Sequence, residues 1–185
     1  MWIDSGYTPV LETERLILRP MRAEDAADLK KWLGRDEVYT YWGRKVTGGE
    51  KNPESLFVDP RPWVKRKLGK DMHWGVVLKN AGEVMGDVTI NDVQNDRMAS
   101  IGYRLNPDEW SKGYITEAVQ AVVQYIFGQT HLQRLEATVD VRNLASVRVL
   151  EKCGFQREGT IRQGKMVSEY CDYHIYGLLK TDGMK

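Results

Sequence analysis

The sequence predicts an α/β fold on a mixed, mostly antiparallel sheet with helices on both faces. Three observations predict it. Residues 72–78, 84–90 and 99–105 are strand-like runs separated by the short turn stretches 79–82 and 94–97, the pattern of an antiparallel meander. Directly after it, Ile115, Ala118, Val119, Val122, Val123, Ile126 and Phe127 fall on one helical stripe. A strand, a second helix and two more strands follow, so strands and helices alternate rather than segregate.

The elements follow in order. Residues 13–19, TERLILR, alternate with Leu16 and Leu18 on one face, and Pro20 ends the strand. A helix over 23–33 carries Ala26, Leu29, Trp32 and Leu33 on its apolar stripe and closes at Gly34. Residues 39–62 hold Gly43, Gly48, Gly49, Pro53, Pro60 and Pro62 and no clear period; residues 63–68 read as a short helical turn or the end of a second helix. In the meander, Val84, Gly86, Val88 and Ile90 alternate with polar neighbours, as do Ala99, Ile101, Tyr103 and Leu105. After the helix over 115–127, Leu135, Ala137, Val139 and Val141 alternate with Arg134, Glu136, Thr138 and Asp140 in a further strand. Asn143 can cap the next helix and Gly154 can end it. Strands over 155–162 and 168–179, joined by a turn through Gly164, complete the order. One domain over 1–185, with its core at about 11–180, is expected.

Composition narrows the function. The chain has 185 residues, 42% hydrophobic and 29% charged, and a chain of that length buries roughly 70% of its unfolded surface without help from disulfides or metals. A net charge of +1 argues against a nucleic-acid surface. The first ten residues lack a signal pattern, and no apolar run reaches the ~18 residues of a membrane span. A cytoplasmic protein without membrane or nucleic-acid partners is expected; a homodimer stays open. Cys153 and Cys171 read as small buried hydrophobes. With no CxxC, no HExxH and three scattered histidines, no metal site is expected.

Two stretches carry chemistry. In NPDEWSKGYITEA, residues 106–118, a strand turns into a helix around one glycine. The first turn of a helix leaves about four amides unpaired, and together with the dipole they favour an anion. Gly113 allows close approach of a ligand, and Lys112 adds a cation. A phosphate-bearing ligand satisfies this arrangement; so does an ordinary turn with hydrated amides, since the stretch is neither a Walker A loop nor a GxGxxG fingerprint. In RNLASVRVLEKCGF, residues 142–155, Asn143, Ser146, Leu150 and Cys153 share a helix face. Two polar groups at the top of an apolar stripe can face a cleft; alone, they also describe a plain N-cap and a surface hydroxyl.

With these stretches in place, the chain resembles the GNAT superfamily of N-acetyltransferases. IGYRLNPDEWSKGYITEAVQAV resembles its acetyl-CoA-binding segment, NLASVRVLEKCGF its next cofactor helix, and LETERLILRPMRAEDAADL the opening of the branch that includes ribosomal-protein N-terminal acetyltransferases. The resemblance extends from about residue 11 to 180. It implies the GNAT-like acyl-CoA N-acyltransferase fold and acetyl transfer from acetyl-CoA to a primary amine. It places the diphosphate on the amides of Ser111, Lys112, Gly113, Tyr114, Ile115 and Thr116. The pantetheine arm falls beside Tyr103, Arg104 and Leu105, where sheet-like pairing needs a splayed edge between the third meander strand and the following one. Asn143 would bond that arm. Ser146 would contact the leaving sulfur, as the serine on this helix is thought to do in the ribosomal-protein branch.

Two departures matter. Trp110 and Ile115 stand where the family's diphosphate motif has Gln or Arg and a terminal Gly or Ala, so backbone amides and Lys112 must carry more of the binding. Leu150 stands where many members place a tyrosine acid. Asp92 and Glu169 are candidate bases, with water as the alternative. The acceptor is expected to be a protein N-terminal amine; a small-molecule amine, polyamine or antibiotic, is the alternative, and a non-catalytic acyl-CoA-binding module a third reading. Tyr39, Tyr41, Trp42, Trp63 and Trp74 are expected to form either an aromatic wall over the acceptor or core packing.

Overall fold

Hydrophobic alternation decides where this chain becomes a sheet. The computed structural model describes residues 8–42, 72–167 and 169–182. Eight strands form one sheet in the order β1-β2-β3-β4-β5-β6-β8-β7. They are β1 (Leu11–Glu12), β2 (Leu16–Arg19), β3 (Met72–Leu78), β4 (Val84–Gln94), β5 (Met98–Leu105), β6 (Arg134–Asp140), β7 (Gln156–Met166) and β8 (Glu169–Leu179). Three α-helices lie among the described residues: α1 (Ala26–Trp32), α2 (Tyr114–Gln129) and α3 (Leu144–Lys152). Every neighbouring strand pair is antiparallel except β5 with β6. This is the predicted class, a mixed and mostly antiparallel sheet with helices on both faces.

Period-2 alternation sorts side chains to the two faces. On one, Trp74, Val88, Ile101 and Leu135 pack in one cluster with Val119 and Ile126 of α2 and Leu150 of α3. Each such side chain contributes about 1.5–3 kcal/mol when fully buried. On the other, Leu29, Trp32 and Leu33 pack with Val77 and Val84, so α1 covers only the early strands. The Trp32 indole donates to the Val84 carbonyl at 3.1 Å, which satisfies its one polar group inside that contact.

The face under α1 also carries a buried ionic cluster. Asp87 is 1% exposed. Its carboxylate accepts from Arg104 Nε at 3.0 Å, forms an ion pair with the same guanidinium through Nη2, and lies 3.0 Å from His73 Nε2. Burial pushes the Asp87 pKa up, but the Arg104 charge and the hydrogen bonds from His73 and Arg104 outweigh it and hold the carboxyl well below the usual range.

The structure departs from the sequence reading in four places. The strand expected over 13–19 starts at Leu16, because the Thr13 hydroxyl accepts the Leu16 amide at 3.0 Å and breaks the ladder there. The helix expected over 23–33 begins at Ala26. A single 3-10 turn (Ala23–Asp25) precedes it, since Arg19 and the Arg22 amide both hold the Asp25 carboxylate. The turn assigned to Gly164 lies later, at Val167 with φ 56°. Gly164 instead sits inside β7, where a Cβ would clash with Ile161 and the Tyr173 ring; here glycine makes room for a cross-strand aromatic. Finally, β4 and β7 run on to Gln94 and Met166, past bulges in their pairing. The helical turn expected at 63–68, and Trp63 with it, falls outside the described residues.

Asp87→Asn is expected to lower the unfolding free energy by about 3–5 kcal/mol, because it leaves the Arg104 charge buried without its partner; urea denaturation measures it. In the unsubstituted protein the folded-state pKa of Asp87 lies below the unfolded one. Its contribution is therefore full above about pH 4 and is lost as the pH falls further.

Candidate functional site

The parallel pair β5–β6 is short. Met98↔Arg134, Ala99↔Leu135 and Ser100↔Glu136 pair, and no later residues do. Yet β5 runs on to Leu105 and β6 to Asp140. Pairing with β4 continues to Leu105, so the other edge of residues 101–105 is left without a strand. A wedge opens toward the C-terminal ends of both strands. Its floor offers unpaired main-chain donors and acceptors, which can take an amide-bearing ligand.

α2 starts at the β5 side of the wedge mouth. Gly113 is its N-cap with φ 83° and ψ 0°, and Ser111 has φ 63°. Two left-handed residues flanking Lys112 turn successive amides to one side, as in an anion-binding nest. Tyr114, Ile115 and Thr116 form the first helical turn, where amides lack an intrahelical partner. None of the described turn, loop or cap bonds uses the amides of residues 111–116. The Lys112 ammonium is paired with Glu109 at 3.0 Å, so its charge is already shared. Trp110 turns back and donates its indole N–H to the Leu105 carbonyl at 2.9 Å, which closes the strand end. Ile115 packs against the core.

What fixes the junction comes from the other end of the chain. Arg15 donates to the Lys112 carbonyl at 3.0 Å and to Glu117 Oε2 at 2.7 Å, and its guanidinium lies 4.5 Å from the centre of the Tyr114 ring. Glu117 also accepts from the Arg15 amide at 3.0 Å and from the Thr13 hydroxyl at 2.5 Å. Burial pushes the Glu117 pKa up; the bonds from Thr13 and Arg15 more than offset it and keep the carboxyl below its usual value. A carboxylate in the first turn also suits the helix dipole.

α3 starts at the β6 side. The buried Asp140 accepts from the Arg142 amide at 2.8 Å and from its guanidinium, and its carbonyl takes the Asn143 amide at 2.9 Å. Asn143 Oδ1 then accepts the Ser146 amide at 3.1 Å and caps the helix. Ser146 Oγ lies 2.8 Å from the Tyr103 hydroxyl, either of which can donate, and the same hydroxyl lies 3.2 Å from the Ser146 carbonyl. Tyr103 thus reaches from β5 to α3 across the helix-covered side of the wedge. Burial pushes its phenol pKa up, against a lowering bond to Ser146. Leu150 is 1% exposed within the core. Burial pushes the neighbouring Cys153 thiol up to about 12, which leaves it protonated and inert at neutral pH.

No described helix packs over the opposite side of the wedge. Asn91, Ser100 and Gly102 are half-buried there and Thr138 is exposed. The Arg104 guanidinium lies 5.3 Å from the Trp42 ring centre, and that of Arg142 lies 5.7 Å from the Tyr41 ring centre. Adjacent aromatics therefore touch both sides of the wedge. Tyr39 and Trp74 are instead core residues, bonded to the Leu33 and Pro9 carbonyls at 2.8 Å each. Asp92 sits exposed in the β4 bulge just past the Asn91↔Ser100 pair, one strand away from the wedge. Glu169 opens β8 opposite Met166, beyond the last β6–β8 pair, Asp140↔Tyr173. Ser146, Asn143, Tyr103 and the amides of 111–116 are thus gathered around one wedge; Asp92 and Glu169 stand outside it.

A family model described as an acetyltransferase (GNAT) domain matches residues 15–156. An uncharacterised N-acetyltransferase of Bacillus subtilis (strain 168), YoaA, is 35% identical over 156 residues, which cover 84% of this chain and 87% of that protein. The chain belongs to the GNAT family of N-acetyltransferases. Solved structures share its fold. Ribosomal-protein-S5-alanine acetyltransferase from Vibrio fischeri matches with a TM-score of 0.78 at 22% identity, covering 96% of this chain and 100% of that one. Spermidine N-acetyltransferase from Vibrio cholerae, in complex with CoA and spermine, matches with a TM-score of 0.76 at 19% identity, covering 94% and 100%.

As a GNAT enzyme the chain uses acetyl-CoA, and the nest, the open β5 edge and the capped α3 fit that co-substrate by charge and by main-chain hydrogen bonding. Among the described residues no group of three or more His, Cys, Asp or Glu side chains could hold a metal ion, and no described helix is long and apolar enough to cross a membrane. Sequence reasoning missed Arg15, Glu117 and the phenol of Tyr103 as parts of the site. The i+2 spacing of Thr13 and Arg15 carries no signal for a carboxylate about 100 residues later. Glu117→Ala is expected to unlock the junction: it strands the Thr13 hydroxyl and the Arg15 guanidinium, and the affinity for CoA should fall about 10-fold. Titration calorimetry with CoA measures it.

Proposed function

We propose that the chain acts as a single acetyltransferase domain that moves the acetyl group of acetyl-CoA to the N-terminal amine of a peptide or protein. The observation that carries this reading is the wedge, flanked by a nest of free amides on one strand's exit and a capped serine on the other's. In it, the diphosphate rests on the amides of 111–116, and the arm lies beside Tyr103, Arg104 and Leu105, whose carbonyl is held by the Trp110 indole. A β5 amide donates to the developing oxyanion, an interaction worth roughly 3–4 kcal/mol in related acyl transfers. Asn143 can offer its side-chain nitrogen to the arm while its oxygen caps the helix.

Ser146 serves the leaving sulfur. A serine hydroxyl is a weak acid, and the phenol behind it is held protonated by burial. Proton transfer out of that pair is uphill, so its role is a hydrogen bond to the departing thiolate. Tyr103 orients the hydroxyl by donating to it. Proton removal from the amine falls to a carboxylate or to water, and Asp92 and Glu169, both exposed, can pass protons to solvent.

The side of the wedge that no described helix covers favours a peptide as acceptor. Among the described residues its floor, Asn91, Ser100, Gly102 and Thr138, is polar. The Tyr41 and Trp42 rings are already in contact with the chain's own guanidiniums, which leaves less aromatic surface for a free cationic molecule. The fold shared with the S5-alanine enzyme agrees; the fold shared with the spermidine enzyme makes a polyamine the second acceptor to try.

An alanyl peptide, spermidine and an aminoglycoside, each incubated with acetyl-CoA while free thiol is followed, test the reading. Fastest release is expected with the peptide. Tight acetyl-CoA binding without release for any amine would instead make the chain a binding module. Ser146→Ala is expected to reduce turnover about 100-fold, with a much smaller change in acetyl-CoA affinity. Tyr103→Phe should reduce it about 5-fold and add little in the Ser146→Ala background, as a residue acting through Ser146 must. Initial-rate kinetics on the two single variants and the double variant decide this.

A further inference from the structure

The geometry points to Glu136 as the group that receives the acceptor's ammonium and takes its proton. The inference rests on the proposed amine acetylation and adds the base that neither Asp92 nor Glu169 supplies from its position. Glu136 occupies the vertex of the wedge, opposite Ser100 in the last β5–β6 pair. Its neighbours Leu135 and Ala137 are buried on the helix-covered face, so alternation puts the Glu136 carboxylate on the open face.

The co-substrate's arm brings the thioester to that level. From Leu105 back to Ser100, β5 spans ~17 Å at ~3.3 Å per residue. The arm from diphosphate to sulfur is a chain of about 12 bonds, or ~14 Å at the ~1.2 Å per bond of extended backbone. Entering at the 111–116 amides, it delivers the thioester between Tyr103 and Ser100.

Among the described residues, Asp87, Asp140, Glu158 and Glu136 stand on the open face, and the first three are committed. Asp87 is taken by Arg104 and His73, and Asp140 by Arg142. Among the described residues Glu136 has only a long contact, 3.5 Å to Arg134. Arg134 itself is held by both oxygens of Glu158, at 2.6 and 2.5 Å, in the space above Gly177, where any Cβ would clash. Gly177 is the β8 residue paired with Glu136. Two carboxylates and one guanidinium leave one negative charge in excess, and Glu136, with its side chain 28% exposed, carries it. This is the charge an incoming ammonium needs.

The step balances. The ammonium gives one proton to Glu136, and the neutral amine nitrogen attacks the thioester carbonyl carbon. The C–S bond breaks as the C–N bond is completed. The nitrogen's second proton neutralises the thiolate, and Glu136 returns its proton to water. One amide, one thiol and one proton result.

The test is Glu136→Gln, with Glu136→Asp beside it, assayed by thiol release across pH with the fastest acceptor of the panel. The Gln variant should lose about 10-fold at pH 7 with a peptide amine, about a tenth of which is already neutral there, and far more with an alkylamine. The loss should shrink as the pH approaches the acceptor's own pKa, about 8 for a peptide amine and about 10 for an alkylamine, because the amine then arrives neutral. The Asp variant should keep more activity than Gln at pH 7, and acetyl-CoA affinity should be unchanged in both. A loss of the same size at every pH, or none, overturns the assignment of Glu136 while leaving the transferase reading intact. Absence of thiol release from the unsubstituted protein with every amine overturns the transferase reading itself.

Discussion

The proposed site of this molecule depends on two parallel strands that stop pairing. β5 and β6 share three residue pairs and then part. An unpaired strand edge inside a sheet is costly unless something else bonds it. Here the vacant edge is the proposed site, because a ligand with alternating amide donors and acceptors can replace the missing strand. The divergence also sends the two strands' exits to separate places. One ends in the Gly113 junction and the other in the Asp140–Asn143 turn, so the two helix N-termini flank the same opening.

Holding a wedge open requires fixed sides. Each is fixed by a carboxylate: Glu117 ties the α2 entrance to the distant Thr13 and Arg15, and Asp140 ties the α3 entrance to the nearby Arg142. Tyr103 bridges the two sides on the helix-covered face. On the open face the adjacent rings of Tyr41 and Trp42 touch Arg142 and Arg104. A site built from backbone edges and amides tolerates side-chain change, which is why Trp110 can occupy a position where the GNAT pattern has a cation or amide. Its indole is used to finish the strand rather than to bind.

The fold was largely legible because its signals are local. The stripe from Ile115 to Phe127 and the alternation of Val88 and Ile90 or Ile101 and Tyr103 specify element and face together. The junction was legible for the same reason, since glycine before an apolar stripe marks a helix start wherever it occurs. What was not legible is what depends on distance in the chain. Gly164 was read as a turn because glycine serves turns and close approaches alike, and only the Tyr173 ring across the hairpin tells them apart. The Tyr103–Ser146 contact and the Arg15–Glu117 clamp join residues about 40 and about 100 positions apart. Asp92 and Glu169 were singled out by strand position. The pairing register instead sets Glu136 at the vertex, something alternation alone does not reveal.

The central claim is that the gap between β5 and β6 is the bed of the coenzyme. A crystal structure of the protein with CoA tests it most directly. The account requires the diphosphate on the amides between Ser111 and Thr116, the arm lying as a strand along residues 101–105, and the sulfur within hydrogen-bond reach of Ser146. CoA bound at another surface, with β5 and β6 unchanged and the amides still facing water, would contradict it.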